Sequence, residues 1–128
     1  MKLLLLLPLL LILCGCHSAS QWTRYPGALK LNHCAEYASH CAGDLTARGV
    51  EAYYAEYTWY SGGRSGRHAV VLFQQDSKWF VVDNEEPWPR RAQGKTPADM
   101  VRSSFAHVKV VNRVCAVDTE GFSIRLIQ

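Results

Sequence analysis

The stretch GRHAVVLFQQDSKWFVVDN constrains the fold more than any other part of the chain, because two apolar runs flank a short polar segment. Runs rich in Val, Phe and Trp around a turn are typical of a β-hairpin. We therefore expect strands at residues 68–73 and 79–83, joined by a turn at residues 74–78. His68 opens the first strand and Asp83 closes the second, so the two should be neighbours with backbones about 5 Å apart. A carboxylate in that position fixes the tautomer of an imidazole and stabilises its protonated form.

The segment NHCAEYASHC predicts a helix that carries a cysteine in its first turn. Asn32 is suited to cap this helix, and Gly49 is suited to end it after Arg48. Between them, residues of one helix face recur at helical spacing: Cys34, Ala38, Cys41 and Leu45. Unpaired backbone N–H groups and the helix dipole favour a thiolate in the first turn and lower the thiol pKa there. Cys34 is thus a candidate nucleophile, although a lone helical cysteine is more often a small buried hydrophobic residue.

Two other interpretations of this segment conflict with helix geometry. Residues seven apart on a helix are separated by about 10 Å along its axis, whereas a disulfide requires Cα atoms within about 7 Å. Cys34 and Cys41 therefore cannot pair on an intact helix. His33 and His40 are equally far apart, so one metal ion with bonds of about 2 Å cannot collect all four side chains. A metal site that combines Cys34 with residues from elsewhere stays open, but no ligand spacing supports one, and we predict neither metal nor cofactor.

The other segments predict a single α+β domain. Residues 50–60, VEAYYAEYTWY, are strand-like and precede the flexible loop SGGRSG. Residues 96–99 have the pattern of a helix start, with a capping Thr, a Pro at the first position and an acid at the third. Residues 107–112 and 122–127 alternate like half-buried strands. We expect an N-terminal helix carrying Cys34, packed on an antiparallel sheet of four to five strands.

A polar loop, NEEPWPRRAQGK, separates the hairpin from this second helix. Its Arg90 and Arg91 could line a substrate cleft or cover the core. We favour the second interpretation, because long basic side chains commonly lay their stems over apolar surface.

The chain opens with MKLLLLLPLLLILCGC, a Lys followed by a Leu-rich run of about a dozen residues. A membrane-spanning helix needs roughly 20 apolar residues, so the run better fits a secretory signal. The motif Leu13-Cys14-Gly15-Cys16 resembles the bacterial lipobox, in which the signal is cut before a Cys that receives a diacylglycerol. This resemblance implies a signal at 1–15, lipid attachment at Cys16 with a tether at 16–28, and a domain at 29–128. The alternatives are an uncleaved anchor and a simple secreted protein.

The same resemblance implies a lipid-anchored protein that faces the periplasm or the cell exterior. The residue after the lipidated Cys is His17 rather than Asp, which favours the outer membrane if the cell is Gram-negative. The net charge of +3 is too mild to indicate a nucleic-acid partner. We expect a monomer whose partners are the membrane and an amide substrate.

Four fragments, in order, resemble the transglutaminase-like branch of the papain-like cysteine enzymes: HCAEYA, GVEAYYAEY, RHAVVLF and KWFVVDN. In that family a Cys begins a helix, a His begins a strand and an Asp ends the next strand. The resemblance covers residues 29–86 and implies a catalytic triad of Cys34, His68 and Asp83. Asn84 is the reserve orienter, because papain-like enzymes also use Asn in this role. Adjacent strand residues point to opposite sheet faces, so only one of the two can serve.

The resemblance also implies an oxyanion hole. The backbone N–H of Cys34 is one expected donor, and Asn32 and Trp22 are the candidates for the second. The family usually has more chain before its Cys than this sequence has, and its upstream donor has no clear counterpart here.

The implied reaction is acyl transfer through a thioester, which water or an amine then resolves as a peptidase, amidase or transamidase. Envelope location points to a peptide or peptidoglycan-type amide as substrate. One alternative is a peptidoglycan endopeptidase of the NlpC/P60 type, which prefers Asp-Cys-Ser-Gly where this chain has Asn32-His33-Cys34-Ala35. Another is a catalytically inactive binding or exclusion lipoprotein.

Two cysteines are left outside the triad and the lipobox. An oxidising compartment permits disulfides, so Cys41 and Cys115 are candidates for one, with Cys34 left as the thiol. The alternative is a pair of buried thiols.

Overall fold

The computed structural model describes residues 33–86 and 88–128. They form, in chain order, α1 (Cys34–Ala47), β1 (Ala52–Ser61), β2 (Arg64–Gln75), β3 (Lys78–Val82), β4 (Arg90–Arg91), α2 (Pro97–Ser104), β5 (Val108–Val117) and β6 (Ser123–Leu126). The strands make one antiparallel sheet in the order β4-β3-β2-β1-β5-β6. The predicted α+β class is confirmed, but the predicted count of four to five strands is wrong. The additional strand is β4, whose two-residue pairing with β3 is too short to produce an alternating pattern.

Several sequence predictions concern residues 1–32, which lie outside the described residues. They are the signal, the lipid attachment at Cys16, the tether, and the two oxyanion candidates Trp22 and Asn32. Within residues 33–86 and 88–128, no helix is long and apolar enough to cross a membrane.

Helix α1 carries Cys34 as its first residue, as the sequence predicts. The first intrahelical bond runs from the Tyr37 N–H to the His33 carbonyl at 3.0 Å. The predicted cap Asn32 is wrong, because the N-cap is His33, whose side chain makes no capping hydrogen bond. The His33 imidazole instead lies 3.2 Å from Glu36.

The end of α1 is a Schellman motif. Gly49 has φ 77°, a left-handed conformation that glycine adopts without steric cost. Its N–H bonds to the Thr46 carbonyl, and the Val50 N–H bonds to the Leu45 carbonyl, both at 3.0 Å. The predicted end of the helix is therefore confirmed.

Two tight turns fix the register of the first three strands. Gly62-Gly63 joins β1 to β2, and Asp76-Ser77 joins β2 to β3. All four residues have positive φ, as type I′ turns require. The predicted flexible loop SGGRSG and the predicted turn at 74–78 are both wrong, because two-residue turns let the strands continue up to them. Strand β2 therefore begins at Arg64, and His68 lies inside the strand rather than at its start.

The tight turn also changes the pairing of His68 and Asp83. The register joins Gln75 to Lys78 and Val71 to Val82, so its continuation sets Asp83 opposite Val70. His68 is two positions further along β2, and the predicted direct pairing is wrong. The two residues are diagonal neighbours on one face, a relation that still allows contact between longer side chains.

Each face of the sheet carries one helix and one buried cluster. Helix α1 packs on one face, where the buried residues include Tyr37, Cys41, Leu45, Tyr54, Val71 and Phe73. Helix α2 packs on the other, where they include Met100, Val101, Val70, Leu72 and Val81. Thr96 caps α2 and accepts a hydrogen bond from the Asp99 N–H at 3.2 Å, which confirms the predicted helix start. The middle of β2 is thus buried on both faces of the sheet, and His68 directly precedes it in the strand.

Candidate active site

The candidate site lies where β3 leaves β2. The two strands pair only as far as Val71 and Val82, whereas β2 continues back to Arg64 beside β1. Among the described strands, the edge of β2 next to His68 therefore has a neighbour on one side only. The chain bends at Asn84 and Glu85 after leaving β3, which places polar residues beside this open edge.

Asp83 is held in a fixed orientation, with its side chain only 5% exposed. Its Oδ1 accepts hydrogen bonds from the N–H groups of Glu85 at 2.7 Å and Glu86 at 2.8 Å. Its Oδ2 lies 3.9 Å from Nε2 of His68 and 3.6 Å from Nη2 of Arg90. Both distances exceed a hydrogen bond, so Arg90 forms an ion pair with Asp83, and His68 forms one when its imidazole is protonated. One carboxylate oxygen is bound by the backbone, and the other faces the imidazole.

The electrostatics of Asp83 favour its charged form. Burial acts to raise the pKa of this carboxyl group, but His68 and the backbone N–H groups of Glu86 and Glu85 lower it further than burial raises it. The pKa of Asp83 is therefore below its usual value, and the group is ionised at neutral pH. An ionised carboxylate is the form that stabilises an imidazolium.

His68 is enclosed by aromatic rings. Tyr57, its partner on β1, contacts the imidazole edge-to-face with ring centroids 5.7 Å apart. Phe105, which follows α2, lies 6.4 Å from the imidazole and stacks on Tyr57 at 5.3 Å. The side chain of His68 is 12% exposed. Since Nε2 faces Asp83, Nδ1 is the ring nitrogen available to a reacting partner.

Cys34 and His68 line the same cavity, which has a volume of about 420 Å³. Cys34 reaches it from the start of α1, where the side chain is half-buried against the core. His68 reaches it from the open edge of β2. Four further residues of its wall are Trp59, Gly66, Asn84 and Glu85. Packing of α1 on the sheet thus brings a thiol and an imidazole to one opening.

Trp59 forms part of this wall because its β-sheet partner is a glycine. Trp59 and Gly66 are opposite each other in the register. A Cβ atom on Gly66 would lie 2.8 Å from the indole Cζ2, so any larger residue would displace the ring. A second cavity of about 240 Å³ shares Trp59, His68 and Glu85 with the first. The imidazole can therefore be approached from two directions.

The structure places His68 against Asp83, and it places Cys34 on the wall of a cavity that His68 also lines. Asp83, rather than Asn84, contacts His68. Asn84 is 2% exposed and lines the cavity that contains Cys34. The two neighbours, which follow the end of β3, therefore contact different parts of the site.

The predicted disulfide is absent from the structure. Cys34, Cys41 and Cys115 are not disulfide-bonded. Cys41 is buried beneath α1, and Cys115 is buried on β5 opposite Tyr54, so both sulfur atoms occupy apolar space as small hydrophobic groups. In residues 33–86 and 88–128, no three His, Cys, Asp or Glu side chains are grouped to hold a metal ion.

The sequence predicted that Arg90 covers the core and gave no indication that it contacts Asp83. Its guanidinium lies 4.5 Å from the centre of the Phe105 ring and pairs through Nε with Glu86 at 3.3 Å. It also contacts Asp83. No local pattern marks Arg90, because its strand is two residues long. The only sequence signal that points to Arg90 is charge, since it comes a few residues after the acidic pair Glu85 and Glu86.

No protein-family model matches the chain, and it matches no curated protein and no solved structure. The functional proposal therefore depends on the geometry of the site.

Proposed function

We propose that this protein is an envelope-anchored cysteine acyl-transfer enzyme of the transglutaminase-like type, with Cys34 as nucleophile, His68 as acid and base, and Asp83 as orienter. One observation carries the proposal: the buried His68–Asp83 pair adjoins a cavity that Cys34 also lines. The papain-like identity of the core belongs to the same proposal. It is supported by a helix with Cys at its first position, packed on a sheet in which β2 carries the His and the Asp directly follows β3.

The chemistry proceeds in two steps. The Cys34 thiolate attacks an amide carbonyl, forms a carbon–sulfur bond, and breaks the carbon–nitrogen bond. His68 gives its proton to the leaving amine and becomes neutral, and a thioester is left on Cys34. Water or a second amine then attacks the thioester and gives its proton to His68. The product leaves as an acid or a new amide, and the thiolate–imidazolium pair is restored.

Two features of Cys34 support its role. It is the first residue of α1, so its thiol faces the positive end of the helix dipole, which favours a thiolate. Its backbone N–H also precedes the first intrahelical hydrogen bond. Within α1 that N–H has no partner, which suits it to stabilise the oxyanion of a tetrahedral intermediate.

The location and substrate class follow from the lipobox-like segment at Cys16. A lipid-anchored domain in the periplasm or outside the cell meets peptides and peptidoglycan-type amides. The open cavity at Cys34 has room for an extended chain, and its wall includes the charged residues Arg67 and Glu85. These features suit a polar amide substrate.

The test follows iodoacetamide alkylation of each cysteine against pH by peptide mass spectrometry, in wild type and in His68→Ala. An ordinary thiol, with a reference pKa near 8.5, reacts slowly below about pH 7. We expect Cys34 to react rapidly in that range and to lose about tenfold or more of its rate in His68→Ala, because the imidazolium stabilises the thiolate.

The matched control is His33→Ala. His33 is adjacent to Cys34 in sequence, but its side chain is 46% exposed and pairs with Glu36. This variant should keep the wild-type rate. Equal losses in both variants, or an ordinary thiol profile for Cys34 in all proteins, would contradict the enzyme and favour a binding or exclusion module.

A further inference from the structure

One oxygen of Asp83 faces both an imidazole and a guanidinium. His68 lies 3.9 Å from Oδ2 and Arg90 lies 3.6 Å from the same atom. The other oxygen is occupied by two backbone N–H groups. The carboxylate therefore cannot turn to serve the two cations separately, and they share a single negative charge.

Arg90 is held in this position from three sides. Its Nε pairs with Glu86, its guanidinium lies over the ring of Phe105, and its backbone pairs with Val81 in the β3–β4 ladder. Phe105 in turn packs beside His68. The guanidinium is thus a built part of the site, although its side chain is 41% exposed.

The other charged or titratable groups near this pair do not replace Arg90. They come from α1, β1, β2, the loop after β3 and the segment between α2 and β5: Cys34, Tyr57, Arg67, Glu85, Glu86 and His107. Burial, followed by the carboxylates of Asp83 and Glu85, raises the pKa of Tyr57, which keeps its phenol neutral. Among the described residues, His68 and Arg90 are the cationic side chains within ion-pair distance of Asp83.

We propose that Arg90 is a positioning residue of the Cys34–His68–Asp83 site, an inference that rests on the proposed function. Arg90 fixes Oδ2 of Asp83 towards the imidazole and takes up part of its negative charge. The imidazolium of the resting thiolate–imidazolium pair is then stabilised less strongly, so His68 can pass its proton to the leaving amine. Without Arg90, the full charge of Asp83 acts on His68, and the imidazole keeps its proton to higher pH.

The experiment records the titration of the His68 ring nitrogens by long-range ¹H–¹⁵N NMR in the full protein. We expect Arg90→Ala to move the midpoint of His68 upward by about 0.5–1 pH unit, after allowance for solvent screening. Arg90→Lys keeps the cation and should stay near the wild type. Arg90→Gln keeps a long, planar side chain without the charge and should repeat the shift of Arg90→Ala, which separates charge from packing.

Arg91→Ala is the matched control. Arg91 is adjacent on β4, but its guanidinium lies 5.6 Å from the centre of the Phe80 ring rather than near Asp83. This variant should leave the His68 midpoint unchanged. An unchanged or lowered midpoint in Arg90→Gln overturns the proposal, and so does an upward shift in Arg90→Lys as large as that in Arg90→Gln.

The same samples distinguish failure of this inference from failure of the proposed function. If His68→Ala slows Cys34 alkylation but the Arg90 variants leave the His68 midpoint unchanged, the enzyme stands and the role of Arg90 falls. If the Arg90 variants shift His68 but His68→Ala leaves Cys34 unaffected, the ion-pair arrangement exists without a catalytic thiol. The positioning role then falls with the enzyme.

Discussion

At the residue scale, Asp83 couples the stability of the fold to the charge state of the site. The side chain is almost fully buried, and its partners come from β2, β4 and its own loop. Burial acts to raise the pKa of Asp83, but His68 and the backbone N–H groups of Glu86 and Glu85 hold it below its usual value. Ionised Asp83 is therefore more favourable in the folded chain than in the unfolded chain, and the residue stabilises the fold as well as orienting His68.

This linkage gives a pH dependence with a definite sign. Because the folded pKa of Asp83 is lowered, its contribution is present above the unfolded value near 3.9 and is lost as pH falls through the folded pKa. We expect Asp83→Asn to lower the free energy of unfolding by about 1–3 kcal/mol at pH 7. The gap should narrow as the pH falls below about 4. Urea denaturation across this range measures both quantities.

A second aspartate, which also accepts backbone hydrogen bonds within its own turn, provides the control for the loss of such bonds. Asp118 also accepts two backbone hydrogen bonds through Oδ1, from Glu120 and Phe122, each at 2.9 Å. Asp118→Asn therefore measures the cost of weakening such backbone hydrogen bonds while the contacts of Asp83 with His68 and Arg90 are kept. A gap between wild type and Asp83→Asn that stays constant from pH 7 to pH 3 would contradict the electrostatic account.

At the element scale, a close backbone contact holds α1 against the turn that follows β5. Gly43 of α1 lies against Gly121, in the turn between β5 and β6, so closely that a Cβ on Gly43 would be 2.5 Å from the Gly121 nitrogen. Ser39, one turn earlier on the helix, donates a hydrogen bond to the Gly121 carbonyl at 2.7 Å. This contact helps to set the position of α1, and therefore of Cys34, on the sheet.

Substitution of Gly43 tests this close approach. Alanine favours a helix over glycine by about 1 kcal/mol, so local propensity predicts that Gly43→Ala stabilises the protein. The backbone of Gly121 cannot move aside as a side chain could, and we expect instead a loss of about 1–3 kcal/mol in thermal or urea unfolding. Ala47→Gly, at the exposed end of α1, should cost no more than about 1 kcal/mol. Greater stability in Gly43→Ala would show that the contact is loose.

At the scale of the whole molecule, the order of the elements places the site close to the proposed anchor. Cys34 begins the described helix, and Cys16 precedes it by fewer than twenty residues. A lipid on Cys16 would hold the cavity near the membrane surface, because even an extended chain spans at most about 3.3–3.6 Å per residue. The cavity would then meet its substrate close to the membrane.

Lipid attachment is tested by metabolic labelling with radioactive palmitate and by fractionation of cells. We expect Cys16→Ser to lose the label and to leave the washed membrane fraction, because the sulfur of Cys16 is the proposed attachment atom. Cys14→Ser is the control, since this cysteine would leave with the proposed signal, and the variant should be labelled and fractionate like wild type. Retention of label in Cys16→Ser would contradict the lipobox assignment.

The sequence predicted those features that depend on neighbouring residues. The start of α2 at Thr96 and the end of α1 at Gly49 were predicted because capping is a property of a few adjacent positions. The main strands were predicted from their alternation and their β-branched and aromatic residues. The closeness of His68 and Asp83 was also predicted, since consecutive strands tend to pair.

Only the tertiary structure decided how these elements combine. The two-residue turns changed the register, and the Asp83–His68 contact became diagonal rather than direct. Arg90 and Gly43 gained their roles from partners on other elements, and the sequence around each of them gives no sign of that. The physical reason is range: capping and alternation act over a few residues, whereas packing and burial join residues that are distant in the chain. The sequence by itself therefore determined the two helices and the five longer strands, and their packing decided that Cys34 and His68 line one cavity.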